Sequence, residues 1–114
     1  MTPNSETLKH IVEDIKKNIE DLIPWMKHAD TYAIQAFNSL LNHESGMFDN
    51  LSGSTKLFPT REMAEAYIKR CRPTRNGEPV KLDMKVVAVA DYAAWKIGNY
   101  KQVIEHLEIQ IADL

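Results

Sequence analysis

The strongest constraint in this chain is a repeat of apolar residues spaced alternately four and three apart. From Leu8 it runs through Val12, Ile15, Ile19 and Leu22 to Met26. That spacing lays one apolar stripe along a helix, as in a heptad seam. Ile11, Ile23 and Trp25 widen the stripe, while His10, Glu13, Asp14, Lys16, Lys17, Glu20 and Asp21 fall on other faces. Ser5 supplies a hydroxyl cap and Glu6 an acid near the start, both favourable at a helix N-terminus.

Pro24 interrupts the segment, because proline lacks an N–H and crowds the preceding turn. The phase nevertheless continues through Ala29, Ala33, Ala36 and Leu40. The expectation is a helical segment over 6–44. It is either one helix kinked near Pro24 or two helices, the second starting near Pro24 or at Asp30, until Ser45-Gly46 ends it. A second seam runs through Val86, Ala90, Ala93, Ile97, Tyr100, Ile104, Leu107, Ile111 and Leu114. It predicts a helix over 82–114, about 45 Å long. Between the two, Thr60 caps a short helix over 61–71. The fold class that follows is all-α: two long heptad-patterned segments packed antiparallel, with the short helix covering one end. Gly98 and the alanines at 88, 90, 93 and 94 suggest places where another helix approaches closely.

Length and composition set the outer bounds. The 114 residues suit a single helical domain spanning 1–114, and 44% hydrophobic residues argue against disorder. One cysteine, Cys71, makes no internal disulfide. The N-terminus has no signal-peptide pattern and no apolar run approaches a membrane span, so the expectation is a cytoplasmic protein with no membrane partner.

The net charge of −2 excludes a simple basic coat for nucleic acid, but the charge is uneven. Residues 56–85 hold eight basic side chains against four acidic ones. The densest run leads to an anion-binding hypothesis for Lys69, Arg70, Arg72, Arg75 and Lys81, directed at nucleotide or nucleic-acid phosphates.

Residues 46–59 are long for a loop and too apolar for a linker. Met47, Phe48, Leu51, Leu57 and Phe58 either fold back over the core or contact a partner. The apolar surplus beyond one seam leads to a homo-oligomer, with Trp95, Ile97, Tyr100, Ile104, Leu107 and Ile111 as the oligomer seam.

Catalytic and metal signatures fail on spacing. His10, His28, His43 and His106 form no paired-ligand motif, and no cofactor fingerprint is present. Glu13/Asp14 and Glu20/Asp21 repeat at seven residues, which leaves a metal-dependent all-α hydrolase as a remote alternative. Cys71 lies among basic residues but reads as a small apolar filler. No catalytic, metal-binding or cofactor residue is assigned. The leading expectation is a small helical, homo-oligomeric interaction or regulatory protein that acts by binding a protein partner.

Overall fold

The computed structural model describes residues 5–70, 74–75, 78–79 and 83–113, with the backbone alone for 74–75 and 78–79. Helix α1 spans Ser5–Leu22, and a 3-10 turn follows over Ile23–Lys27 with Pro24 in its first positions. Strand β1 is Tyr32–Ala36, β2 is Ser39–Leu41 and β3 is Phe48–Asp49. Helix α2 is Arg61–Arg70. Two-residue strands β4 (Thr74–Arg75) and β5 (Glu78–Pro79) pair with each other. Strand β6 is Met84–Ala88, and α3 continues directly as Val89–Ala112.

The all-α expectation is therefore wrong, and with it the helical bundle and coiled-coil-like description. A four-stranded antiparallel sheet in the order β3-β2-β1-β6 occupies the middle of the chain. The 6–44 segment is helical only to Leu22, with one 3-10 turn after it, and the 82–114 segment is a strand before it is a helix. The physical reason lies in the alanines. Ala33 and Ala36 kept the seam in phase, and alanine itself favours helix, but so small a side chain adds little packing to decide the element. The β-branched and aromatic residues around them (Tyr32, Ile34, Val86, Val87) favour a half-buried pleated surface. In β1 the four consecutive residues Ala33–Ala36 are all buried, the pattern of a strand covered on both faces.

Each face of the sheet has its own core. On one, Ala33, Leu40, Val89 and Tyr92 pack with Trp25, Leu51 and Val87, which joins the sheet to the 3-10 turn and the start of α3. On the other, Ile34, Leu41, Phe58 and Ala64 pack with Tyr67, Ile68, Met84 and Val86, which seats α2. Thr60 Oγ1 accepts a hydrogen bond from the Met63 N–H at 3.2 Å and caps α2.

α1 packs on α3 and on the 3-10 turn. Leu8 and Val12 are each only 5% exposed, while the charged residues of α1 face solvent. Burial of two such side chains contributes about 1.5–3 kcal/mol apiece. The ion pair found among the described residues, Lys16–Glu13, is exposed and adds only about 0.3–0.5 kcal/mol. Apolar contact, not charge, holds the helix pair. The molecule is elongated, 53 × 35 × 20 Å, with a radius of gyration of 17.3 Å against about 13 Å for a compact chain of similar length.

Candidate interaction face and ligand cavity

The hairpin joining β1 to β2 has a two-residue tip, Phe37-Asn38, between the paired residues Ala36 and Ser39. Phe37 has φ of 56°, and it is the one non-glycine residue with positive φ among those described. A bulky side chain in that region is strained, and glycine or asparagine is the usual occupant. Its ring gains almost nothing from burial, being 81% exposed. The backbone beneath it is fixed. The buried Gln35 amide donates to the Phe37 carbonyl at 2.8 Å, and the Tyr92 hydroxyl donates to the Asn38 carbonyl at 2.6 Å. Burial, with a smaller contribution from the Tyr100 charge, pushes the Tyr92 phenol up to about 12, so it stays a donor. Trp95, 42% exposed, packs its ring 5.8 Å from that of Tyr92. The tip, Lys85, Val87, Asp91 and Trp95 border an open cleft of about 370 Å³.

The cleft adjoins the edge of the sheet. β6 pairs with β1 on one side and, among the described residues, with no strand on the other. The direction of its backbone groups follows from the ladder. Tyr32 exchanges hydrogen bonds with Phe58, on the side of β1 away from β6, and the Val89 N–H donates to the Thr31 carbonyl. Ladder bonds alternate along an antiparallel pair. The pairs Ala33–Val87 and Gln35–Lys85 are therefore the bonded ones, and the N–H and C=O groups of Met84 and Val86 and the N–H of Ala88 point outward, while the Ala88 carbonyl serves as the N-cap acceptor of α3. The Arg61 guanidinium reaches the Val86 carbonyl from outside at 3.4 Å, in agreement with that direction.

A second concave site lies on the opposite face, between α2 and the β2–β3 hairpin. It is a cavity of about 190 Å³ whose lining includes Leu41, Phe48, Ile68 and Met84, with His43 and Lys56 as its basic groups. Asn42 shapes the hairpin loop beside it: its Oδ1 accepts from the Glu44 and Ser45 N–H groups at 2.9 and 3.1 Å. Gly46 has φ of 69°, which a side chain there would strain. The Lys56 ammonium lies 5.0 Å from the Tyr67 ring centroid and 5.7 Å from that of Phe58.

The residues singled out in the sequence scatter over these features. Phe58 is buried, Phe48 and Leu51 are half-buried against the two cores, and Met47 and Leu57 are exposed. Phe48, Leu51 and Phe58 thus pack inward, while Met47 and Leu57 stay on the surface. Lys69 and Arg70 are exposed in the last turn of α2, Arg75 is described in backbone only, and Arg72, Lys81 and Cys71 lie outside the described residues. On α3, Ile97 is buried, Tyr100, Ile104, Leu107 and Ile111 are half-buried, and Trp95 is exposed beside the cleft. An alanine methyl at Gly98 would meet nothing within 4 Å, so this glycine hosts no close helix approach among the described residues.

His28 packs on Trp25, and the Gln110 amide donates to His106 Nε2 at 3.3 Å. Among the described residues no three His, Cys, Asp or Glu side chains are grouped to hold a metal ion, and no helix is long and apolar enough to cross a membrane. Phe37 and Lys56 went unmarked as site residues in the sequence. A lone aromatic between Ala36 and Asn38, or a lone lysine before Leu57, carries no spacing signal.

No family model, no curated protein and no solved structure matches the chain.

Proposed function

We propose that the protein is a small homo-oligomeric interaction module that acts by binding, with a second copy of itself as the occupant of the open β6 edge. The observation that carries this reading is the register of that edge. A two-fold axis through Val86 sets Val86 opposite Val86, where both ladder bonds can form, and Met84 opposite Ala88 of the other copy, where the Ala88 N–H can donate to the Met84 carbonyl. Lys85 then lies across from Val87, and no like charges oppose each other. An unpaired five-residue edge is a template for such strand addition. The Arg61 contact, long at 3.4 Å, gives way to the Val86 N–H of the second copy.

Phe37 and Trp95 support the same face. Strain retained at an exposed aromatic points to a role outside the fold's own stability. Exposed, preorganised aromatics are the usual anchors of protein interfaces. Sedimentation equilibrium from low micromolar to near-millimolar protein tests the reading. A reversible monomer–dimer equilibrium is expected, and a monomer at every concentration would overturn it.

A further inference from the structure

We propose that the cavity between α2 and the β2–β3 hairpin is a binding site for a small amphipathic carboxylate, about the size of benzoate. Three observations converge on that chemistry. The first is size. At about 190 Å³ the cavity exceeds the roughly 150 Å³ at which an apolar cavity takes up benzene. The second is the lining. Leu41, Phe48, Ile68 and Met84 supply apolar contact for a ring or short chain.

The third is Lys56. Its backbone N–H is fixed to the Leu41 carbonyl at 2.9 Å, and its ammonium is held over the Tyr67 and Phe58 rings. Among the described residues it forms no ion pair with a carboxylate. Aromatic faces attract the cation without using its N–H donors in the plane of a hydrogen bond, so the charge is held in place with donors to spare. A carboxylate at the mouth completes it, and exposed His43 adds a second polar group at the rim. The arrangement is a pocket with an apolar side and a polar side, the latter holding one fixed charge, which matches an amphipathic ligand. It is independent of the β6 edge and stands or falls separately from self-association.

The test is a titration of the amide NMR spectrum with sodium benzoate, benzyl alcohol and sodium phosphate in parallel. Benzoate is expected to shift the amides of residues 41–48, 56, 67 and 68 saturably. Benzyl alcohol has the same ring without the charge and should bind at least about tenfold more weakly, the least that a hydrogen bond to a charged group contributes. Phosphate alone should not saturate the site. Lys56→Met keeps the side-chain stem and should lower benzoate affinity about tenfold while leaving benzyl alcohol unchanged. Ile68→Phe fills the apolar floor and should weaken both, which keeps the proposal testable should the lysine variant fold poorly. No saturable shift with benzoate, equal binding of benzoate and benzyl alcohol, or phosphate reproducing the benzoate shifts would each overturn it.

Discussion

The hydroxyl of Tyr92 donates a 2.6 Å hydrogen bond to the carbonyl of Asn38, 54 residues earlier in the chain, and so ties the start of α3 to the tip of the β1–β2 hairpin. Tyr92 is 1% exposed, so its removal leaves a carbonyl without its donor in a part-buried setting. Asn38 itself is exposed and water can reach its carbonyl, so Tyr92→Phe is expected to lower stability by about 0.5–1.5 kcal/mol in chemical denaturation.

The same bond makes a pH prediction. The phenol is raised from 10.0 in the unfolded chain to about 12 in the fold, first by burial and then by the Tyr100 charge. Below pH 10 both states keep the proton and the contribution of Tyr92 is complete. As pH rises from 10 to 12 the unfolded state loses its proton first, so stability falls through that window. Denaturation midpoints measured across the alkaline range should show this loss in the wild type and a shallower one in Tyr92→Phe. Parallel curves would contradict it.

Phe37 links strain to contact. Glycine at position 37 relieves a positive φ that costs a bulky side chain about 1–2 kcal/mol, and itself costs about 0.5–1 kcal/mol in chain entropy. Phe37→Gly should therefore leave stability unchanged or raise it by up to about 1.5 kcal/mol. Self-association should weaken about tenfold or more. A destabilisation beyond about 1 kcal/mol would mean that the ring packs within its own chain.

Gly98 supplies a test on α3. It lies inside the helix, and an added methyl meets nothing within 4 Å. Gly98→Ala should raise stability by about 0.8–1 kcal/mol in denaturant titration. A loss would place a close neighbour over this face in the assembled protein.

The part of the fold legible in the sequence is the part where periodicity and residue type agree. In α1 the seam positions Leu8, Val12 and Leu22 are buried and Ile15 and Ile19 half-buried, and charged residues fill the remaining faces. Thr60 announced the start of α2 through its hydroxyl. The seam misled where alanine carried it. Ala29 is exposed, and Ala33, Ala36 and Leu40 belong to two strands of a hairpin. Their spacing of three or four residues is an accident of a two-residue turn between strands that are buried on both faces. Val86-Val87 was a strand signal that the helical phase of the residues after it obscured.

The site was less legible than the fold. Phe48, Leu51 and Phe58 stood out because apolar loop residues must pack, and all three contact a core. Phe37 contradicts the residue preference of its own turn, so turn chemistry alone pointed away from it. Lys56 acquires meaning only from two rings brought over it by β1's neighbouring segment and α2, a tertiary relationship that no spacing records. The outward direction of Met84, Val86 and Ala88 depends on which strand pairs with β6, and so required the register.

The most direct measurement is sedimentation equilibrium of Val86→Pro beside the wild type. The Val86 N–H points away from β1, so proline there removes no ladder bond inside the chain and is compatible with an edge strand. Lys85, the residue before it, is already extended, as proline requires. The wild type is expected to be a reversible dimer. Val86→Pro is expected to be a monomer with unchanged far-ultraviolet circular dichroism. A variant that dimerises as tightly as the wild type would contradict the claim that the open edge of β6 is where two copies meet.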